Sequence, residues 1–313
     1  MKPLGRDVSS ADAAPLRRRL RARGLRALVR ASGWLPPSAV TGALAPLAAC
    51  GLPRRYRSAL EDNVAAALPG LASLDPRAAA RVSDTRAFGR EVARFAAEQA
   101  SLWIRLARGA QGARGGWVDD LVEIDASVER LDEVLSAGRG ALIVTAHIGN
   151  WELLCARLAR RGHEGAVVGR VRRKDPSHGW LVDMRRAYGV ETIPQDASPR
   201  EALGVLRRGG VLGLLTDLRV RQLDGVQRPL LGASALTMTA PAAFARAHGA
   251  PLVPVRCVRR GPGYVMSVEE PLRLRTDLER AEATRDLLDR QNQLFGRWIA
   301  DTPEQWAWHQ RRW

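Results

Sequence analysis

Cysteine is scarce in this chain of 313 residues. Its three cysteines, Cys50, Cys155 and Cys257, lie far apart, so they form neither an even set for disulfides nor the close spacing of a zinc site. A small secreted scaffold held together by disulfides is therefore excluded. The pattern instead indicates a protein of a reducing compartment.

Long apolar runs are also missing. No stretch approaches the uninterrupted run of about 18 apolar residues that indicates a membrane-spanning helix, and Pro46 interrupts the best candidate, residues 38–52. The basic N terminus lacks an apolar core followed by a small-residue cleavage site. The sequence thus predicts neither a spanning helix nor a signal peptide, and association with a membrane surface remains open.

Motifs of several large enzyme classes are absent as well. The chain has no HExxH zinc motif, no Walker A phosphate loop and no GxSxG nucleophile motif. Four histidines fall on predicted loops or helix ends without metal-ligand spacing: His163, His178, His248 and His309. For each of these four, a surface or capping role is the better prediction.

Acidic residues are outnumbered by basic ones, 33 to 49, which leaves a net charge of +16. Such a charge predicts an acidic partner: nucleic acid, anionic lipid or an acidic protein. Residues 16–30 alone carry seven arginines, interleaved with leucines. This pattern favours a basic amphipathic helix on a membrane surface, with a nucleic-acid-binding arm or a solvated face as alternatives.

The chain divides into three parts by pattern. Residues 1–15 have the composition of a disordered terminus. Residues 16–116 are predicted to be a helical, membrane-associating region, in which Pro69 and Gly70 end a helix that begins at Tyr56. Residues 117–313 alternate strand and helix patterns, which predicts an α/β domain with a mostly parallel central sheet flanked by helices.

The stretch 140–154, GALIVTAHIGNWELL, is the most informative part of the sequence. It predicts a buried strand at 141–146, a turn, and a helix capped by Asn150 with Glu152 in its first turn. His147 and Glu152 can then converge across the turn. A carboxylate that holds one histidine nitrogen leaves the other free to take a proton. The alternative is a histidine that merely ends a strand and bonds its neighbours.

His147, Arg170 and Asp217 each follow a predicted strand at or near its carboxyl end. Ligands of parallel α/β sheets bind outside those ends. The three residues therefore predict one shared site.

The segment HIGNWE at 147–152 resembles the HxxxxD/E motif of glycerolipid acyltransferases, and AHIGNWELL resembles its version in the bacterial lipid A late (lauroyl/myristoyl) acyltransferases. That family also includes phosphatidylinositol mannoside acyltransferases and lies within the lysophospholipid acyltransferase-like superfamily. Four further stretches resemble the family in the expected order: RRYRSALEDNVAAALPG at 54–70, GVLGLLTDLRV at 210–220, DGVQRPLLGASALT at 224–237 and PEQWAWHQRRW at 303–313.

The resemblance implies transfer of a fatty acyl chain from an acyl carrier protein or acyl-CoA thioester to a lipid hydroxyl, without a metal or other cofactor. His147 is the implied general base and Glu152 the residue that orients it. Arg170, Asp217 and Asn150 are implied at the substrate, and the turn 148–150 is a candidate for the oxyanion donors. For Arg170 the alternative is a solvated side chain. For Asp217 it is a helix cap or a structural ion pair.

The chain departs from the family pattern in two places. Leu218 stands where the family has a glutamine, and Leu230 and Leu231 replace paired aromatic residues. The first change removes an amide from the predicted site and leaves the acceptor uncertain. It does not affect the histidine and its carboxylate.

The resulting prediction is a peripheral enzyme on the cytoplasmic face of the inner membrane, acting on lipid A or a related envelope lipid. Its basic charge would attract an anionic lipid acceptor and an acidic carrier protein. Specific binding of a nucleic acid is not expected. The alternatives are a basic nucleic-acid-binding protein and a catalytically inactive membrane scaffold of the same family. The tryptophan-rich tail, 298–313, is predicted to pack on the domain rather than lie among lipid headgroups.

Overall fold

The computed structural model describes residues 24, 52–107, 115–170, 176–219 and 224–313. Its helices are α1 (Arg54–Leu74), α2 (Pro76–Ser83), α3 (Thr85–Leu106), α4 (Gly116–Leu121), α5 (Glu129–Ser136), α6 (Trp151–Arg160), α7 (Pro176–Ala187), α8 (Pro199–Arg207), α9 (Ala240–His248) and α10 (Arg280–Asp301). Its strands are β1 (Val122–Ile124), β2 (Ala141–Thr145), β3 (Gly165–Gly169), β4 (Val190–Pro194), β5 (Val211–Leu215), β6 (Gly225–Leu230), β7 (Ala233–Met238), β8 (Leu252–Arg260) and β9 (Gly263–Val268). The predicted disordered terminus and all but Gly24 of the arginine-rich segment lie outside the described residues.

Seven strands form the central sheet in the order β1-β9-β8-β2-β5-β3-β4. Neighbours run parallel except for the antiparallel pair β8 and β9. This confirms the predicted α/β fold with a mostly parallel sheet. β6 and β7 form a separate antiparallel hairpin, which was not predicted from the sequence. Pro229 lies inside β6 and is tolerated there because both strands of a two-stranded ribbon are edge strands.

Strand β2 lies in the middle of the sheet and is buried on both faces. Ala141 and Ile143 join one hydrophobic cluster with α6 and β8, whereas Leu142 and Val144 join a second cluster with α8 and α9. Successive side chains of a strand point to opposite faces, so a strand covered on both sides is apolar throughout. The apolar run before His147 thus follows from the layer of helices on each face.

Helix α1 extends beyond its predicted end at Leu68 to Leu74. We expected Pro69 and Gly70 to stop it, but the helix continues to Leu74 with Pro69 inside. Tertiary packing outweighs the hydrogen bond that proline cannot make. Leu71 is fully buried, and a Cβ on Gly70 would lie 2.0 Å from the Leu231 carbonyl oxygen. The last turn is held by this close approach to the hairpin.

The C-terminal segment packs on the domain, as predicted. Trp298, Trp306 and Trp308 are each at most 1% exposed. They share a hydrophobic cluster with Leu60 and Val64 of α1. The N-terminal helices and the C terminus are therefore buried against each other.

Asn63 of α1 holds the C-terminal segment through backbone groups. Its amide nitrogen donates to the carbonyl oxygens of Trp308 (2.8 Å) and Gln310 (2.7 Å), and its side-chain oxygen accepts from the Arg312 N–H (3.1 Å). Asn63 is only 1% exposed. One buried amide thus satisfies three backbone groups of an otherwise irregular segment.

Within the described residues, no helix combines the length and the apolar character needed to cross a bilayer.

Replacing Asn63 by alanine tests this contact. Asn63→Ala is expected to lower the free energy of unfolding by about 2–4 kcal/mol, because it leaves buried backbone groups without partners. The neighbouring Asp62→Ala is the control: its ion pair with Arg311 joins side chains 55% and 62% exposed, so a loss within about 0.5 kcal/mol is expected. Urea unfolding measures both variants, and equal losses would contradict the assignment.

Candidate active site

The turn after β2 is shaped by Gly149. Its φ is +60°, and a Cβ there would lie 2.0 Å from the Cys257 carbonyl oxygen of β8. The Gly149 N–H donates to the carbonyl oxygen of Gln305 (3.0 Å), and the Asn150 N–H donates to that of Cys257 (2.8 Å). Only glycine fits this approach. The turn is thereby fixed to both β8 and the C-terminal segment.

Asn150 caps α6, as predicted. Its side-chain oxygen accepts from the Leu153 N–H at 2.8 Å, and the residue is fully buried. The cap places Glu152 in the first helical turn. A contact between Asn150 and a substrate stays a prediction.

The carboxylate that holds His147 is Asp217, and the expected pairing with Glu152 is wrong. His147 Nδ1 lies 2.7 Å from Asp217 Oδ1, and the His147 backbone N–H donates to Oδ2 at 2.9 Å. The strand register explains why His147 and Asp217 are in contact. Thr145 pairs with Leu215 across the parallel strands β2 and β5, and His147 and Asp217 each follow two positions later. Adjacent parallel strands therefore deliver both side chains to one edge of the sheet.

The other nitrogen of the ring, Nε2, is the candidate base. His147 Nε2 has no hydrogen-bond partner in the described part of the chain, and the side chain is 21% exposed. With Nδ1 donating to a carboxylate, Nε2 carries the lone pair. The geometry is that of an oriented general base.

Asp217 is completely buried and has a third donor. The indole N–H of Trp306 reaches its Oδ2 at 2.7 Å. Burial raises the pKa of Asp217, but the positive charge of His147 and the hydrogen bonds from His147 and Trp306 together hold that pKa below its usual value. The carboxylate is therefore ionised wherever the histidine can act as a base.

Glu152 points away from His147 into a second buried cluster. Two nitrogens of Arg185 in α7 donate to it: Nη2 to Oε1 at 2.6 Å and Nε to Oε2 at 3.1 Å. The hydroxyl of Tyr188 also donates to Oε2, and the Trp151 indole donates to Oε1 at 3.1 Å. Glu152 is fully buried, and these four donors (two from Arg185, one each from Tyr188 and Trp151) compensate for the loss of water around its carboxylate.

The pKa shifts of Arg185 and Tyr188 favour a charged guanidinium and a neutral phenol. Burial lowers the pKa of Arg185, but the attraction of Glu152 outweighs this, and the pKa lies above its ordinary value. Burial raises the pKa of Tyr188 well above its ordinary value, and the charge of Glu152 adds to the effect. The phenol therefore remains a donor. The cluster ties α6 to α7 and orients the helix that begins beside His147.

Two cysteines lie close to these groups but are poor nucleophiles. Burial raises the pKa of Cys155 to about 12, with the charge of Glu152 as a further cause. Burial likewise raises the pKa of Cys257. Because the thiolate is the reactive form, neither side chain is suited to carry an acyl group.

The turn 148–150 is less open to an oxyanion than expected. The N–H groups of Gly149 and Asn150 both donate to backbone carbonyl oxygens. Arg170 lies exposed just beyond the carboxyl end of β3, at the same edge of the sheet as His147. Its contact with a substrate stays a prediction.

No group of three or more histidine, cysteine, aspartate or glutamate side chains could hold a metal ion among the residues that the structure describes. The expectation of a reaction without a metal or cofactor stays a prediction.

Four residues of the site were not identified from the sequence: Trp151, Arg185, Tyr188 and Trp306. Arg185 and Tyr188 are three apart at the end of α7, a same-face spacing, but the exposed Arg186 beside them looks equivalent in sequence. Trp306 was expected to pack, which it does. Its polar edge gave no separate signal.

The buried pair of Glu152 and Arg185 makes a stability prediction. Arg185→Ala is expected to lower the free energy of unfolding by about 3–5 kcal/mol, because it leaves a buried carboxylate unpaired. Arg186→Ala is the matched control, since its pair with Asp183 joins side chains 76% and 74% exposed and is worth at most about 0.5 kcal/mol. Chemical unfolding at neutral pH compares them, and a small effect at Arg185 would refute the pairing.

Comparisons with known proteins agree on one family. The phosphatidylinositol mannoside acyltransferase of Mycobacterium tuberculosis is 28% identical over 190 residues, which is 59% of this chain and 58% of that protein. The enzyme of the same name from Mycolicibacterium smegmatis is 29% identical over 202 residues, 62% of each chain. The match thus spans less than two thirds of either relative. Residues 27–313 match the model of the family described as bacterial lipid A biosynthesis acyltransferase, and the chain belongs to that family.

Proposed function

We propose that this protein is an O-acyltransferase, which moves a fatty acyl chain from a thioester to a hydroxyl group of a membrane glycolipid. The observation that carries the proposal is the pair His147–Asp217, with Nδ1 held at 2.7 Å by a buried carboxylate and Nε2 open. Membership of the family supports the same reaction.

In the proposed reaction, His147 Nε2 takes the proton of the acceptor hydroxyl as its oxygen attacks the thioester carbonyl. Asp217 stabilises the imidazolium that forms. When the tetrahedral intermediate collapses, the carbon–sulfur bond breaks and the imidazolium returns the proton to the leaving thiolate. The ester and a free thiol are the products. The acyl group passes directly to the acceptor, consistent with the raised pKa values of Cys155 and Cys257.

Glu152 takes a supporting role in this proposal. Its charge is committed to Arg185 and Tyr188, so it acts by holding α6 and the preceding turn. Arg170, at the same sheet edge, is proposed to meet an anionic group of donor or acceptor.

The acceptor is proposed to be a lipid A precursor or a related glycolipid of the cell envelope. The family description and the names of the mycobacterial relatives both concern acylated glycolipids. The donor is proposed to be acyl carrier protein or acyl-CoA. Both are acidic and are attracted to a chain of net charge +16.

The first test is thiol release from long-chain acyl carrier protein or acyl-CoA, with and without bacterial lipid extract. Lipid-dependent release is expected, and His147→Ala should lower it at least about a hundredfold, the scale of losing a general base. Asp217→Asn should cause a loss of similar order, since the histidine tautomer is no longer fixed.

Matched controls separate chemistry from folding. His163→Ala removes a histidine at the far end of α6 and should leave release unchanged. Circular dichroism must show that every variant folds, and mass spectrometry of the lipid would identify the acceptor. Folded wild-type protein that shows no lipid-stimulated release with either donor would refute the proposal in favour of a scaffold or a nucleic-acid-binding protein.

We also propose that the protein binds the cytoplasmic face of the inner membrane peripherally, through the basic segment 16–30. Each basic residue near an anionic surface contributes about 1 kcal/mol. Changing Arg17, Arg18 and Arg19 together to glutamine should therefore weaken binding to anionic vesicles by on the order of a hundredfold at low salt. Vesicle co-sedimentation measures this.

The control for this experiment changes the net charge equally at another place. Arg200, Arg207 and Arg208 are exposed at α8, outside the predicted membrane-associating region. Their joint change to glutamine should have a much smaller effect. Equal effects of the two triple variants would show that net charge, and not segment 16–30, drives the association.

A further inference from the structure

Trp306 is the one tryptophan whose polar edge reaches the catalytic carboxylate in the described part of the chain. Asp217 Oδ1 faces the imidazole, while Oδ2 receives the His147 backbone N–H at 2.9 Å and the Trp306 indole N–H at 2.7 Å. Asp217 is 0% exposed and Trp306 is 1% exposed. Among the residues that the structure describes, the indole is thus the one side chain that donates a hydrogen bond to Oδ2.

We propose that Trp306 is a positioning residue for the reaction: its indole N–H locks the rotation of the Asp217 carboxylate so that Oδ1 stays aimed at His147 Nδ1. The inference rests on the proposed role of His147 as the base. It adds a residue 89 positions from Asp217 to the catalytic machinery.

An indole suits this task chemically. Its N–H can only donate, so it pairs with an anion and cannot compete with the imidazole for a proton. Hydrogen bonds to the charged form of a carboxylate favour that form, and the Trp306 contact is one of the causes that hold the pKa of Asp217 low. Without the indole N–H, the His147 backbone N–H is the donor that remains to Oδ2 among the described residues, and the carboxylate can rotate about its Cβ–Cγ bond.

The indole itself is held from two sides. Its ring packs edge to face against Trp308, with centroids 4.7 Å apart, and against Trp313 at 6.0 Å. Its backbone lies in a bridge opposite Ile148, where the Ala307 N–H donates to the His147 carbonyl oxygen at 3.0 Å. The backbone that carries the base is therefore bonded directly to the backbone that carries the indole.

The test compares two tryptophans that lose the same group. Trp306→Phe keeps an aromatic ring but removes the donor to Asp217. Trp298→Phe is the matched control, because Trp298 is equally buried and its indole N–H donates at 2.8 Å to Glu269 Oε1 instead. Both changes remove one indole hydrogen bond to a carboxylate within the same hydrophobic cluster.

Steady-state acyl transfer and proton NMR are measured on the full chain of each variant. Trp306→Phe is expected to lower kcat about 10- to 100-fold with KM within about twofold, the scale of a lost hydrogen bond to a charged group. The downfield proton resonance of the His147 Nδ1–H should move upfield or broaden. Trp298→Phe should leave kcat within about twofold and the resonance in place.

The two readouts separate failure of this inference from failure of the proposed function. The resonance reports the histidine–carboxylate contact even if no acyl transfer is found. Equal kcat values and an unchanged resonance in the two variants would overturn the inference, as would a loss of kcat shared equally by both. An unchanged resonance in Trp306→Phe, with inactive wild-type protein, would overturn it independently.

Discussion

A carboxylate that is entirely removed from water governs the architecture of the site. An unpaired buried charge costs several kcal/mol, so Asp217 must be surrounded by donors. They come from the turn after β2, through His147, and from the C-terminal segment, through Trp306. Two distant parts of the chain must therefore meet at the end of β5. The packing of α1 on the C terminus and the glycine turn at 149 are the means by which they do.

The two buried carboxylates of the site, Asp217 and Glu152, have different partners. Asp217 is paired with a group that can lose its charge, the imidazole, whereas Glu152 is paired with an arginine that cannot. The first arrangement permits proton transfer, and the second gives rigidity. Glu152, the last residue of the HxxxxE motif, thus lies near the histidine without pairing with it, and it ties α6 to α7.

Local features of the site were predictable because they depend on neighbouring residues. The apolar run before His147, the glycine turn and the Asn150 cap all follow from residue types within a few positions. The length of α1 was not predictable, because the contact between Gly70 and Leu231 that stabilises its last turn joins residues far apart in sequence. The hairpin of β6 and β7 was not predictable either, because its proline is tolerated only in an edge strand.

The α/β class, the position of the candidate base and the family could all be inferred from the order of residues, since periodicity, turn chemistry and motif order are properties of the linear chain. Tertiary structure alone decided which carboxylate serves His147. Glu152 is five residues away and Asp217 seventy, but strand order places β2 beside β5 and points Glu152 toward α7. Contact in a parallel sheet depends on which strands are neighbours, and that order is set by the packing of the whole core.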